Sequence, residues 1–394
     1  MLWHVNNEYG CHNAHCFCDT SAAAFRRWLQ GRYGQLADLN AAWGTAFWSQ
    51  RYTDWAQINP PRLAPSFVNP TQQLDFWRFS SDELLDCFRA ERDVLHRVTP
   101  GVPVTTNLML SRFKALDYWA WSAEMDLVSN DHYLFGEDPL SHVELSMAAD
   151  LTRSLAGGMP WLLMEHSTSA VNWQPRNLAK TPGQLRRNSL THVARGADGV
   201  LFFQWRASAA GTEKFHSGML PHAGTDTKIW REVRALGAEL RSLQEVQGNT
   251  VAAEVALLWD CESWWAGELD SHPVDDLSYL EAMRAYYEPL WRAGVTTDFV
   301  HPQGRSQPVS ADHRSQPLSR QRYRRGGSGE LRRGRRWAGG LLLQWHRGFP
   351  GPRPPRRLPR RFPRRAGHRR RGVLPAPHRR VGEPAPRRDR LAVD

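Results

Sequence analysis

Two glutamates follow short apolar runs that have the character of buried strands. Asn7 and Glu8 close the run that begins at Leu2, and Glu165 closes the run that begins at Trp161. Two such carboxyl groups could hydrolyse a glycosidic bond: one donates a proton to the leaving oxygen, while the other, ionised, attacks or stabilises an oxocarbenium-like carbon. For either glutamate alone, a structural ion pair is the simpler interpretation. An Asn before the first and a His after the second favour catalysis.

A group of thiols and imidazoles lies directly after Glu8. It comprises Cys11, His12, His15, Cys16 and Cys18. Side chains of these types at this density can bind zinc. Their spacing fits none of the common structural zinc patterns, and cysteines in loops of reduced proteins are often without a metal. The residues alone leave both interpretations open.

The two parts of the chain differ in charge. The formal net charge of the whole chain is +11, which ordinarily suggests an anionic partner. Residues 303–394 contain 26 Arg, no Lys and five acidic residues, so residues 1–302 carry 25 basic and 35 acidic residues. The segment 303–394 is rich in Arg, Pro and Gly and is predicted to be disordered. Its lack of Lys favours translation in a wrong reading frame; the alternative is a cationic tail that binds nucleic acid.

Neither a targeting segment nor a membrane span is predicted. Met1 is not followed by the basic and apolar regions of a signal peptide, and no apolar run approaches the roughly 18 residues of a membrane helix. The five cysteines are an odd number with three of them crowded between positions 11 and 18, which is not a disulfide framework. We therefore expect a protein of the reducing cytoplasm.

Short apolar strands alternate with amphipathic helices over residues 1–302, which predicts an α/β fold. The strands are continuously apolar, which indicates parallel strands buried on both faces. We predict a strand ending at Asn7, further strands over 102–107, 127–131, 161–165, 199–205, 253–259 and 297–301, and helices over 20–33, 70–98, 118–125, 140–155, 183–194, 228–246 and 277–293. Asp19 or Thr20 is the predicted N-cap of the first helix.

Two architectures fit this alternation, a doubly wound open sheet and part of a (β/α)8 TIM barrel. Polar clusters follow five strands, at Asn7, Asn107, Asp131, Glu165 and Gln204. Barrel enzymes build their sites from several strand ends, whereas an open sheet binds at one switch point. We predict a partial TIM barrel (strands four to eight) over 1–248, the start of a second α/β domain over 249–302, and the tail 303–394.

The position of Glu8 near residue 1 adds a separate expectation. A catalytic strand at this position predicts that the chain begins inside a domain and lacks the first three βα units of the barrel. Such a barrel exposes strand edges and an apolar lumen, so we expect poor solubility and little or no activity from this chain.

Several segments of residues 1–302 also carry recognisable motifs. They are NEYGC (7–11), WGTAFW (43–48), TN (106–107), SNDHY (129–133), MEHST (164–168), NWQPRN (172–177) and FQWR (203–206). In order and spacing these motifs closely resemble those of glycoside hydrolase family 42 β-galactosidases. The resemblance implies a retaining enzyme on a TIM barrel that hydrolyses β-galactoside oligosaccharides or glycosides.

The resemblance implies a role for each matching residue. Glu8 matches the acid/base and Glu165 the nucleophile, while Asn7 matches the residue that holds the 2-hydroxyl of the sugar. Four further residues match the lining of the galactose pocket, namely Trp48, Trp173, Glu213 and His216.

The resemblance further implies that the full-length parent is a homotrimer, formed through the second α/β domain, and that no cofactor is required. Some members of the family bind zinc through four cysteines, and Cys16 and Cys18 match two of them. Ser21 stands where a third cysteine is expected, which argues against a structural zinc. His12 or His15 could substitute for a missing ligand.

Overall fold

Parallel strands and helices alternate along the chain, as predicted. The computed structural model describes residues 1–110, 112–272 and 274–304, together with the backbone of two residues further on, 336 and 337. The elements are β1 (Trp3–His4), α1 (Asp19–Tyr33), α2 (Leu36–Trp43), α3 (Pro70–Val98), β2 (Val104–Thr105), β3 (Asn107–Leu108), α4 (Tyr118–Ser122), β4 (Ser129–Asp131), α5 (Ser141–Leu155), β5 (Trp161–Glu165), α6 (Gln184–Val193), β6 (Ala197–Val200), α7 (Lys228–Ser242), β7 (Val255–Leu258), α8 (Cys261–Gly267), α9 (Tyr279–Arg292), β8 (Thr297–Val300) and β9 (Arg336–Trp337). Short 3-10 helices cover Phe47–Ser49, Trp55–Gln57 and Gln244–Val246.

All strand pairs of these sheets are parallel, which confirms the α/β fold. β1 pairs with β2, and a four-stranded sheet has the order β3-β4-β5-β6. A separate sheet has the order β8-β7-β9. Strands β3 to β6 are neighbours in chain order, without the reversal that marks a doubly wound sheet. The register between β4 and β5 sets Asp131 beside Glu165.

Some strands differ from their predicted bounds and burial. Both residues of β1 are exposed, although the apolar pattern predicted a strand buried on both faces. Among the described strands, β1 has a partner on one side only, β2, so its other edge is not covered by a neighbour. The strand predicted over 199–205 is observed as Ala197–Val200, because its register with β5 starts at Ala197 opposite Trp161.

Helices α1 and α3 pack together through periodic apolar residues. Phe25 and Leu29 of α1 are fully buried in a cluster with Phe76 of α3. The helix α3 begins where predicted, since Asn69 accepts hydrogen bonds from two backbone amides and Pro70 occupies the first turn. The predicted N-cap of α1 was wrong. Cys18 caps this helix instead, its Sγ accepting from the Ser21 amide at 3.5 Å.

A buried ion pair joins the strand β8 to the helix α5. The Arg153 guanidinium is 1% exposed and lies 3.0 Å from Asp298 of β8 and in hydrogen-bond contact with Asp150. Removing one partner of such a pair leaves a buried charge without compensation, which costs about 3–5 kcal/mol. The contact therefore holds the strand β8 against the helix α5.

Two further predictions concern membrane spans and the segment 303–394. No helix among the described residues is long and apolar enough to cross a bilayer. The prediction of a disordered or out-of-frame segment over 303–394 lies outside the described residues, apart from 303, 304 and the backbone of β9.

Candidate active site

A tight turn after β1 positions Glu8. The Cys11 amide donates to the Glu8 carbonyl at 3.1 Å, and Gly10 inside the turn has a φ of +76°. A Cβ on Gly10 would lie 2.8 Å from the Cβ of Ala115, so both the turn and the packing require glycine here. Glu8 itself has a φ of +50°, a strained conformation for a residue with a side chain. Strain of this kind concentrates at functional sites.

The side chain of Asn107 ties this turn to the neighbouring strands. Its Oδ1 accepts from the Glu8 amide at 2.9 Å and lies 3.0 Å from His4 Nε2. Its Nδ2 donates to Asn7 Oδ1 at 3.0 Å and to Asp131 Oδ2 at 2.5 Å. One buried amide therefore fixes the strand ends of β1, β3 and β4 relative to one another.

Three carboxyl groups converge at these strand ends. Glu8, Asp131 and Glu165 each place an oxygen within 4.8 Å of the others. Tyr133 donates its hydroxyl hydrogen to Glu165 Oε2 at 2.6 Å, which orients that carboxylate. The separation of Glu8 and Glu165 resembles the roughly 5–5.5 Å between the two carboxyl groups of retaining glycosidases and is shorter than the separation in inverting ones.

Burial and mutual repulsion favour the protonated state at part of this cluster. Burial, and then the charge of Glu165, raise the pKa of Glu8 above its usual range. Burial raises the pKa of Asp131 well above 3.8, with further contributions from Glu165 and Glu8. Burial beside Glu165 also raises the pKa of Tyr133, so its hydroxyl keeps the proton that it donates. The site can therefore hold a proton donor beside an ionised carboxylate.

A cavity of about 470 Å³ opens onto these carboxyl groups. Its lining includes Asn7, Trp173, Glu213 and His216. Glu213 Oε2 and His216 Nε2 are buried and find no hydrogen-bond partner among the residues that the structure describes. His216 Nδ1 lies 2.9 Å from the Ser217 carbonyl, so it carries the ring hydrogen and Nε2 presents a lone pair. The cavity thus offers two acceptors without partners beside an exposed aromatic face.

A larger cavity, of about 690 Å³, lies elsewhere, between the helices α5, α6 and α9. Its lining includes Arg186, Arg195 and Trp291 but no carboxyl group. The chemistry of the smaller cavity, and not its size, therefore identifies the candidate site.

Comparison with known proteins identifies the family. A family model described as "Beta-galactosidase", for glycoside hydrolase family 42, matches residues 1–243. The chain belongs to this family. A second model, described as "Beta-galactosidase trimerisation domain", matches residues 253–307.

Individual relatives are similar over the same part of the chain. A β-galactosidase of Arthrobacter sp is 57% identical over 302 residues, which are 76% of this chain and 44% of the relative. A β-galactosidase of Geobacillus kaustophilus is 48% identical, over 76% of this chain and 45% of the relative. This chain is also similar to the crystal structure of the β-galactosidase from Bacillus circulans sp. alkalophilus, with 42% sequence identity and a TM-score of 0.72. The matched part is 76% of this chain and 45% of the chain in that crystal structure. The chain spans less than half the length of these relatives.

The structure brings six of the seven predicted catalytic and sugar-binding residues to one cavity. These are Asn7, Glu8, Glu165, Trp173, Glu213 and His216. The last two of these residues, Glu213 and His216, lie in one turn. The His216 amide donates to the Glu213 carbonyl at 3.1 Å, but the His216 side chain is 2% exposed and packs against Tyr133 and Phe203.

Trp48 is the exception among the predicted pocket residues. Its indole is 58% exposed and is not part of the cavity lining. The helix α2 ends at Trp43 with Gly44 as its C-cap, and the following 3-10 helix places Trp48 against Phe47, with ring centroids 5.2 Å apart. The structure therefore does not bring Trp48 together with the other predicted pocket residues, and its role in sugar binding stays a prediction.

The structure divides the predicted group of thiols and imidazoles. Cys11 and His12 line the cavity, whereas Cys16 and Cys18 lie at the start of α1 with their sulfurs 3.4 Å apart. His15 Nδ1 lies 2.8 Å from Ser80 Oγ instead. The described residues at the start of α1 thus supply two thiols and the Ser21 hydroxyl, which does not fit a four-thiolate zinc site.

Three residues of the site received no individual role from the sequence. Asn107, Asp131 and Tyr133 were recognised only as polar residues at strand ends and as parts of motifs. The signal that could have singled them out is their position directly after the apolar runs of neighbouring strands.

Proposed function

We propose that the protein hydrolyses terminal non-reducing β-D-galactose residues by a retaining double displacement. The observation that carries this proposal is the approach of the Glu8 and Glu165 carboxyl oxygens to within 4.8 Å in a chain of this family. β-galactoside oligosaccharides or glycosides are the proposed substrates. The names of the relatives support this choice of sugar.

In the first step the ionised Glu165 attacks the anomeric carbon while Glu8 gives its proton to the leaving oxygen. The bond between the anomeric carbon and that oxygen breaks, and a galactosyl ester of Glu165 forms. The ester carries no charge, so the repulsion that raises the pKa of Glu8 disappears. Glu8 can then remove a proton from water, which attacks the anomeric carbon and releases β-galactose with Glu165 ionised again.

The neighbouring polar groups position these two carboxyls. The Tyr133 hydroxyl holds Glu165 Oε2, and Asn107 holds the backbone of Glu8. Asn7, held by the same Asn107 side chain, is the proposed partner of the sugar 2-hydroxyl. A contact to this hydroxyl that strengthens in the transition state contributes to the rate.

The remaining cavity residues are proposed to bind galactose. The acceptor atoms Glu213 Oε2 and His216 Nε2 can each receive a hydrogen from a sugar hydroxyl. Trp173 is 47% exposed and offers an indole face for the C–H side of the sugar ring. A buried acceptor without a hydrogen-bond partner costs free energy. A sugar with a hydroxyl at the matching position is therefore bound in preference to one that has only a hydrogen atom there.

The finer description of the fold belongs to the same proposal. β1 is assigned to strand four of a (β/α)8 barrel, β2 and β3 to strand five, and β4, β5 and β6 to strands six, seven and eight. Residues 1–248 are the proposed barrel part and residues 249–302 the start of the second domain. The trimerisation model supports a homo-oligomer, for which we propose a trimer. A cytoplasmic location remains a prediction from the cysteines. The nucleic-acid alternative rests on 303–394 and gains no support from the family matches.

Hydrolysis of a chromogenic β-galactoside by the 394-residue chain tests the proposal, and its rate relative to that of a full-length relative tests the separate expectation that this chain has little activity. Proton NMR of the first product should show β-galactose, and a matched chromogenic β-glucoside should react much more slowly. The variants Glu8→Gln and Glu165→Gln should each lose nearly all turnover. The control variant Glu245→Gln, changed at an exposed position, should keep the turnover of the parent chain. First release of α-galactose, or full activity of the Glu165→Gln variant, would overturn the mechanism. If turnover is absent, calorimetric titration with 1-deoxygalactonojirimycin tests the galactose pocket, and no binding would count against the substrate class.

A further inference from the structure

Three side chains on the turn after β1 form a second constellation beside the carboxyl pair. We propose that Glu8, Cys11 and His12 bind a divalent cation of the zinc class. Each contributes one ligand atom, a carboxylate oxygen, a sulfur and an imidazole nitrogen, and these atoms all lie within 4.8 Å of one another. The site is distinct from the Cys16 and Cys18 thiols.

The distances between the ligand atoms suit a tetrahedral ion. Cys11 Sγ lies 3.7 Å from His12 Nε2. Zinc bonds of about 2.3 Å to sulfur and about 2.0–2.1 Å to nitrogen, at tetrahedral angles, separate these two atoms by about 3.6 Å. The existing turn therefore presents this pair of ligands at nearly the distance that the ion requires.

The backbone explains why the three ligands face one another. The hydrogen bond from the Cys11 amide to the Glu8 carbonyl closes the turn, and Gly10 supplies its left-handed residue. Cys11 and His12 then follow directly on the cavity wall. A preformed turn lowers the entropic cost of assembling the ligands around an ion.

Charge and access also favour a cation at this place. Asp131 and Glu165 lie within 4.8 Å of the Glu8 carboxyl, so the ion would enter a cluster of acidic groups. His12 is exposed and Cys11 is partly exposed, which leaves an entry path from solvent. Three protein ligands leave a fourth position towards the cavity for water.

The ligand types select the kind of cation. A thiolate and an imidazole suit Zn²⁺ or Co²⁺, whereas Mg²⁺ and Ca²⁺ require oxygen ligands. The three carboxyl groups alone would suit the harder ions. Dependence on the Cys11 sulfur therefore distinguishes the proposed site from an all-carboxylate site.

Occupation of the site would inhibit the enzyme, a consequence that rests on the proposed function. Glu8 cannot both ligate the ion through its carboxylate and donate a proton to a leaving oxygen. The Cys11 thiol loses its proton to solvent when it binds the ion. The metal site would thus make hydrolysis reversibly sensitive to zinc.

Titration of the metal-free 394-residue chain with CoCl₂ tests the site without any galactoside. A thiolate-to-cobalt charge-transfer band should appear, and ZnCl₂ should displace it. The band should vanish in Cys11→Ser, and the affinity for cobalt should fall at least tenfold in His12→Ala. The double variant Cys16→Ser/Cys18→Ser is the matched control, and it should keep both band and affinity.

Three results would overturn the metal site. They are a band that persists in Cys11→Ser, a band that disappears in the Cys16→Ser/Cys18→Ser control, and no cobalt or zinc binding at millimolar concentration. Because His12 is exposed, His12→Ala keeps the test valid if Cys11→Ser misfolds. Zinc inhibition of galactoside hydrolysis, reversed by EDTA and lost in His12→Ala, is a separate readout. Cobalt binding by a chain that hydrolyses no galactoside would support the metal site and contradict the proposed function alone.

Discussion

Replacement of Asn107 by alanine removes the side chain that links three strand ends. Asn107 is 1% exposed, and its amide contacts His4, Asn7, Asp131 and the Glu8 backbone. His4 and Asn7 are exposed and can turn to water, whereas Asp131 is 4% exposed and the Glu8 contact is partly buried. Two polar groups left without partners cost about 1–3 kcal/mol each. Part of this cost is recovered where the two polar groups shift to reach water. We therefore expect Asn107→Ala to lower the free energy of unfolding by about 2–4 kcal/mol.

Urea unfolding followed by tryptophan fluorescence measures this change, since the chain contains 18 Trp. Asn249→Ala is the control, because Asn249 is exposed and its side chain donates a local hydrogen bond to the Glu245 carbonyl, at 2.8 Å. We expect the control to stay within about 0.5 kcal/mol of the parent. Asn107→Leu restores most of the lost volume without hydrogen bonds and should remain nearly as unstable as Asn107→Ala. The reasoning is refuted if Asn107→Leu matches the parent, or if Asn107→Ala matches the control.

Tyr133→Phe removes the hydroxyl that donates to Glu165 at 2.6 Å. A hydrogen bond to a charged group is worth about 1.5–3 kcal/mol, so steady-state kinetics should show kcat/KM lowered roughly 10- to 150-fold. Gly10→Ala combines a φ of +76° with a Cβ contact at 2.8 Å, while Gly34→Ala has a φ of +72° and nothing within 4 Å. Urea unfolding should therefore show Gly10→Ala as less stable than Gly34→Ala by at least about 1 kcal/mol. Burial lowers the pKa of His192 well below 6.5, so the unfolded chain takes up a proton that the folded chain refuses. Stability should fall as the pH drops below about 6.5, by up to about 1.4 kcal/mol per pH unit for this group. His192→Phe should make the profile less steep without flattening it, because burial also lowers the pKa of His166 well below 6.5.

Each of these outcomes has a comparison that can contradict it. The exposed Tyr286 serves as the control for Tyr133, and its change to Phe should alter kcat/KM less than twofold. An equal loss in both variants would remove the role of the Tyr133 hydroxyl. Equal stability of the two alanine variants at glycine positions would mean that the turn after β1 adapts to a Cβ. An unchanged pH profile in His192→Phe would assign acid sensitivity to other groups.

Local sequence signals predicted the elements well where caps and periodicity agree. α3 has the predicted bounds, 70–98, because Asn69 and Pro70 define its start and its apolar residues recur at helical spacing. The cap of α1 could not be predicted, since a thiol is an unusual acceptor and Asp19 offered a better one. The strand predicted over 199–205 was displaced because its bounds depend on pairing with β5, which one sequence does not specify.

The site was predictable in its chemistry but not in its connections. Glu8 and Glu165 could be chosen because glutamates at strand ends are visible in the sequence. The contacts of Asn107 depend on the register of three strands, so no spacing along the chain indicates them. Trp48 received its role by resemblance alone, and its exposed indole is not part of the cavity lining.

Covalent trapping tests the central claim most directly, because it needs only one turnover. The 394-residue chain is incubated with 2,4-dinitrophenyl 2-deoxy-2-fluoro-β-D-galactoside, and its mass is then measured intact and after proteolysis. A retaining mechanism predicts one fluorogalactosyl group per chain, attached to Glu165, with no label in Glu165→Gln and full label in the exposed control Glu245→Gln. A label on another residue, or no label on a folded chain that binds galactose inhibitors, would contradict the assignment of Glu165 as the nucleophile.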